Sequence, residues 1–207
     1  MTIIVFFQIF LVCLLGAMSP GPSTIIVINN AIFRSRFHGI LTSIGHGLGI
    51  ALYALFAVIG IELIIEANLM IFTTMKLLSL ILLIYLGLKS ILNKNKLNFD
   101  ERNVQGKYTS FLQGLSISIL NPKIFIWFVA IYSQFMSVNN NFILNTSLVL
   151  IAGITDTLWY IFLTMTITSP RILEIVKTKS LILNKCIGVL LILIAAILLL
   201  DIVFNQT

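Results

Sequence analysis

Two charged side chains stand where charge is costly. Lys123 lies inside the apolar run 109–136 and Asp156 inside the run 142–168. A charge at such depth in a bilayer faces a partner or a cavity. Two proline breaks interrupt runs of the same kind. They are Ser19-Pro20-Gly21-Pro22 in the run 3–33 and Asn121-Pro122 in the run 109–136. Proline lacks an N–H, and its ring clashes with the carbonyl four residues back. Pro20 therefore releases the carbonyl of Gly16, Pro22 that of Met18 and Pro122 that of Ser118. Unpaired carbonyls persist in hydrocarbon only where protein, water or a ligand satisfies them.

Each break is also a helix start. Ser19 or Gly21 can cap a half-helix beginning near Pro22, and Asn121 can cap one beginning at Pro122, with proline at its favoured first position. Such N-termini offer free N–H groups and a partial positive charge, which suits a carboxylate. The expected site for a zwitterion follows. Its carboxylate meets the N-termini near Ser19, Pro20, Gly21, Pro22 and Ser23, and near Asn121, Pro122 and Lys123, with the Lys123 charge added. Its ammonium meets the carbonyls of Gly16, Met18 and Ser118 together with Asp156, which also exchanges the proton. The plain structural alternative is a Lys123–Asp156 ion pair.

These residues need a membrane around them. The 207-residue chain is 59% hydrophobic and 10% charged, with a mean hydropathy of +1.09. A soluble domain carries about 25% charged residues. The length fits about six spans of roughly 20 residues. Six apolar runs can be read: 3–33, 40–64, 67–91, 109–136, 142–168 and 180–204. The net charge of +6 does not point to nucleic acid, because no basic helix face or stacking motif is present. No Lys or Arg precedes Arg34, so the first run reads as a retained span rather than a signal peptide. Cys13 and Cys186 form neither a disulfide framework nor a zinc site and read as packing residues.

Basic residues set the orientation. With the N-terminus outside, the inner side receives Arg34, Arg36, Lys89, Lys94, Lys96, Arg102, Lys107, Arg171, Lys177, Lys179 and Lys185. The outer loops near 66–68 and 137–141 hold none. Both termini are then outside, and the polar linker 93–108 is cytoplasmic. It divides the chain into a first three-helix repeat, 1–92, and a second, 109–207, entering from opposite sides. The expected fold is an all-α membrane protein of six transmembrane helices, arranged as two inverted repeats, with helices 1 and 4 broken by proline. Gly45 and Gly49 form a GxxxG suited to close helix packing. His46, between them, reads as a hydrogen-bonded histidine inside span two.

The set "SPGP", GxxxG, Leu86-Gly87, "NPK" and "DTLWY" resembles, in order and over essentially the whole chain, the lysine exporter family, which includes threonine and homoserine efflux proteins. The chain departs from that family at Ser79–Leu83, Ser133–Phe135 and Ser118. The resemblance implies a multi-pass protein of the bacterial cytoplasmic membrane that exports amino acids against proton entry. Its partners would be an amino-acid substrate, protons and membrane lipid, with no cofactor, and with homo-oligomer formation left open. The alternative is a transporter of a metal ion or other small cation, which would want clustered His, Cys or carboxylates; no metal site is expected. An intramembrane aspartic protease needs two cooperating carboxylates, and the spans offer one deep Asp. A purely structural membrane protein would leave the two matched breaks without a reason.

The orientation has a direct test. In a cysteine-free background, Asn98→Cys should resist an impermeant maleimide added to intact cells and react once the cells are permeabilised. Labelling of intact cells would invert the topology.

Overall fold

Apolar runs of this length become helices because hydrocarbon offers backbone groups no partner outside the segment. The computed structural model describes residues 3–94, 99, 109–136 and 142–205, and every regular element among them is helical. In chain order these are α1 (Ile3–Met18), α2 (Pro22–Phe33), α3 (Arg36–Ala67), α4 (Leu69–Ile91), α5 (Thr109–Leu120), α6 (Pro122–Phe135), α7 (Phe142–Ile167) and α8 (Pro170–Asn205). Helices α3, α4, α7 and the Thr178–Leu200 part of α8 are each long and apolar enough to cross a membrane. Helices α1 and α2 reach that length only as a bent pair, as do α5 and α6; the bends are 66° and 60°. The protein thus has six spans, the first and fourth broken at the prolines. The linker expected at 93–108 lies outside the described residues except at 93, 94 and 99, and the loop at 137–141 lies wholly outside them.

Local chemistry sets the boundaries. Asn68 ends α3 and caps α4: its side chain accepts the N–H groups of Met70 (2.8 Å) and Ile71 (3.2 Å). Ser35 opens α3, its Oγ accepting the His38 N–H. Helix α8 begins at Pro170, well before the run 180–204 read from hydropathy. Arg171, Glu174, Lys177 and Lys179 mask that first part. Ile172, Leu173 and Val176 nevertheless form an apolar face, which packs on Val27, Ile28 and Ala31 of α2 and on Tyr160, Leu163 and Ile167 of α7.

Helix α3 is the centre of the bundle, packed most extensively on α7 and α5. In lipid this association depends on close van der Waals approach rather than on expelling water. A Cβ at Gly45 would stand 2.1 Å from the carbonyl oxygen of Phe111, and one at Gly114 would stand 2.0 Å from that of Thr42. The α3 and α5 backbones therefore touch, and no side chain fits between them. This contact fixes α5, and with it the second break, against the helix that carries His46.

The contact predicts an asymmetry between two glycines of α3. Gly45→Ala should lower the thermal unfolding midpoint in detergent sharply, because the obstruction is backbone, which cannot turn aside. Gly60 has nothing within 4 Å of a built Cβ. Gly60→Ala should be neutral or stabilising by about 0.5–1 kcal/mol, the usual helix preference for Ala over Gly. Equal midpoints for the two variants would contradict the packing described.

Candidate functional site

The two breaks end differently. Helix α1 stops at Met18, and the Ser19 N–H turns back to the Gly16 carbonyl at 3.2 Å. Pro20 therefore does not leave that carbonyl bare, contrary to expectation: the local turn supplies a donor for one of its lone pairs. Gly21 is the N-cap of α2 and, having no side chain, supplies no capping bond; Pro22 holds the first helical position. The first turn of α2, with Ser23 and Thr24, starts without a side-chain cap. At the second break Asn121 caps α6, its Oδ1 accepting the Lys123 N–H at 3.0 Å. The nearby Ile119 carbonyl takes the Tyr53 hydroxyl.

Lys123 spans the two breaks. Its Nζ donates to Ser19 Oγ at 2.5 Å, so the cation of α6 rests beside the start of α2. Asp156 is buried on α7, and it does not pair with Lys123. Its Oδ2 lies 2.6 Å from His46 Nδ1 of α3. His46 Nε2 lies 2.8 Å from Ser23 Oγ of α2. The Tyr160 ring, one turn beyond Asp156, stands edge-on to the His46 ring at 4.9 Å, and its hydroxyl is 3.5 Å from Thr24 Oγ1. Three helices thus contribute to one buried chain of contacts, Ser23–His46–Asp156.

Both groups face one cavity of about 60 Å³. One water needs roughly 10–15 Å³ by that measure, so there is room for a pair of small polar groups. Its polar walls include Ser19, Ser23, His46, Asn121, Lys123, Asp156 and Tyr160, and its apolar walls include Cys13, Ile50, Ile124, Trp127, Phe128 and Ala152. Gly16, Gly21 and Pro22 also line it. Of the residues expected at the site from the sequence, Met18, Pro20 and Ser118 are not among the lining; the side chain of Pro122 lies outside the described ones. Ser118 is buried and turned away: its hydroxyl donates to the Leu115 carbonyl, and Gly49 packs against its side chain. Cys186 is exposed on α8 rather than packed. No group of three or more His, Cys, Asp or Glu residues poised for a metal occurs among the described residues.

His46, Tyr160 and Trp127 were not expected at the site. A signal for His46 was present. It stands ten residues past Arg36, which opens α3, and Asp156 stands eleven residues before Ile167, which closes α7. Those two helix ends lie together, since Arg36 donates to Thr168 Oγ1 at 2.8 Å. At about 1.5 Å per residue both side chains sit roughly 15 Å from that end. Depth counted along antiparallel spans would have paired them.

At the same end of the bundle, α2 and α5 are tied by a polar network. Asn30 Nδ2 donates to Gln113 Oε1 (2.9 Å), and Arg34 donates to Ser110 Oγ (2.6 Å). Ser110 Oγ donates in turn to Asn30 Oδ1 (3.0 Å).

Comparison with known proteins agrees with this architecture. The chain is 32% identical over 157 residues to YrhP, an uncharacterised membrane protein of Bacillus subtilis, spanning 70% of this chain and 74% of that protein. The threonine efflux proteins of Escherichia coli K12 and Salmonella typhi are each 29% identical over 142 residues, spanning 66% of this chain and 69% of theirs. No solved structure matches. The family model described as LysE type translocator matches residues 14–202, which take in all or part of every span, and the chain belongs to that family of membrane transporters.

Proposed function

We propose that this translocator exports a zwitterionic amino acid across the bacterial cytoplasmic membrane in exchange for protons, and that it binds its cargo in the cavity between the two helix breaks. The observation that carries the reading is the division of charge around that cavity. Lys123, beside the uncapped start of α2, makes an anion subsite. Asp156, with its carboxylate on His46, makes a cation subsite. A zwitterion has one group for each. The names of the threonine efflux relatives support an amino-acid cargo.

The same residues weigh against simpler accounts. Ser, His and Asp in this order also form the triad of many hydrolases. In a membrane translocator the arrangement has charge to hold rather than an acyl bond to cleave. A structural ion pair between Lys123 and Asp156 would leave the cavity without separate poles, and each of the two has another partner.

In the proposed orientation the N-terminus is outside, and the end of the bundle with Arg34 and Arg36 faces the cytoplasm. The near-equal bends at the two breaks, 66° and 60°, support an inverted pair of three-helix repeats. The network of Asn30, Gln113, Ser110 and Arg34 would then close the cavity on the cytoplasmic side and must part for cargo to enter. Cargo and proton compete at Asp156 and its neighbours, so one site suffices for exchange.

The test is a panel of the twenty labelled L-amino acids in proteoliposomes with an imposed pH gradient. At least one should accumulate against its own gradient. Asp156→Asn keeps the shape but removes the charge, and should abolish gradient-driven flux. Lys123→Met loses a charged hydrogen-bond donor, a contribution of about 1.5–3 kcal/mol, and should raise KM by roughly tenfold to a hundredfold. Full gradient-driven transport by Asp156→Asn would remove the exchange mechanism.

A further inference from the structure

The proton that exchanges with the cargo needs an atom to sit on, and the hydrogen bonds around His46 single one out. A neutral imidazole carries one donor and one acceptor nitrogen. A carboxylate can only accept, so the 2.6 Å contact with Asp156 places the ring hydrogen on Nδ1. Nε2 is then the acceptor, and at 2.8 Å it takes the hydroxyl hydrogen of Ser23. His46 is buried, and its ring is held in place by Tyr160. Asp156 thus fixes one tautomer and leaves a basic nitrogen pointing at a hydroxyl on the cavity wall.

We propose that the coupling proton resides on His46 Nε2, with Ser23 as the switch that reports it to the cargo. This rests on the amino-acid reading above and deepens it. On proton uptake one N–H bond forms at Nε2, and no bond in the protein breaks. Nε2 turns from acceptor to donor, so Ser23 Oγ must accept from it. The Ser23 hydrogen stays on its oxygen and swings toward the cavity. The His46–Asp156 pair passes from a net charge of −1 to zero, as the carboxylate stays ionised beside an imidazolium. The attraction for the cargo ammonium falls, and Ser23 turns its hydroxyl hydrogen toward it, with one of the oxygen's two lone pairs now taken by Nε2–H. Proton and ammonium therefore exclude each other although they never occupy the same atom.

The other charged and titratable groups leave this role to His46. From α7 it meets Asp156 and Tyr160, while Lys123 of α6 and Cys13 of α1 line the same cavity. Helices α2 and α5 carry no titratable side chain. On α4, Lys76 lies over the Phe72 ring and Lys89 over the Tyr85 ring, and none of the four lines the cavity. On α3 itself, His38 is held by Ser35 at the helix start. Imidazole is also the side chain whose charge ordinarily changes between about pH 5 and 8.

The experiment measures counterflow in proteoliposomes, with the same pH on both sides, for the amino acids that the panel shows to be carried. In the wild type, KM should rise by about tenfold per pH unit once the ring is protonated. In His46→Gln, whatever flux remains should have a KM independent of pH between 5.5 and 8. A variant with the wild-type pH dependence would overturn the proposal and leave the proton on Asp156. A wild type that carries no amino acid would defeat the functional reading itself, and the coupling with it. If His46→Gln is inactive, the ring can be read directly. The chain has two histidines, so His38→Gln labelled with 15N-histidine shows His46 alone. Adding a carried amino acid at fixed low pH should strip the proton from Nε2. A ring whose state ignores the amino acid would overturn the proposal.

Discussion

The hydrogen bond from Lys123 to Ser19 joins one helix break to the other, and the rest of the site is arranged around that junction. A helix broken inside hydrocarbon exposes amides at one end and carbonyls at the other, and each must find a partner. Here the solutions are local where they can be. Ser19 turns back to Gly16, Asn121 caps α6, and Tyr53 reaches Ile119. The start of α2 is the exception. Gly21 offers no cap, and the positive end of that helix is left to the cavity and to the Lys123 ammonium nearby.

A cation beside a helix N-terminus is an unfavourable neighbour for it. The arrangement makes sense when an anion completes it, and a carboxylate does so with both charge and lone pairs. On the other wall the balance is reversed. Asp156 has the His46 imidazole rather than the Lys123 ammonium as its close partner. The site thus holds two poles apart. The proposed exchange needs little more than a means to erase one of them, and a proton on the imidazole provides it.

Much of the fold was legible because a membrane imposes length and polarity on each span. The breaks at Pro20–Pro22 and Asn121–Pro122 appear where the sequence puts them, and the family resemblance read from "SPGP" and "NPK" agrees with the family match. The errors have specific physical causes. Hydropathy averages over a window, so the charged start of α8 was hidden although Ile172, Leu173 and Val176 pack well. Proline geometry says which carbonyl loses its donor, but not that Ser19 would supply another. Opposite charges at similar depth left a Lys123–Asp156 pair open as the structural alternative. The choice between partners depends on which helices are adjacent, and α3 lies between the sequence signals and their meaning. His46 was visible as an intramembrane histidine at the depth of Asp156, but only the contact of α3 with α7 brings its ring onto that carboxylate.

The central claim is that the cargo occupies the cavity between the breaks. Cys13 lines that cavity, whereas Cys186 is exposed on α8. With Cys186→Ala in place, Cys13 becomes the sole thiol, since the chain has two cysteines. The most direct measurement is its rate of modification by a small methanethiosulfonate reagent, with and without an amino acid that the protein carries. The account predicts that the amino acid slows the reaction several-fold, in proportion to site occupancy, and that an amino acid not carried has no effect. A modification rate unchanged by saturating cargo would place the binding site elsewhere and contradict the account.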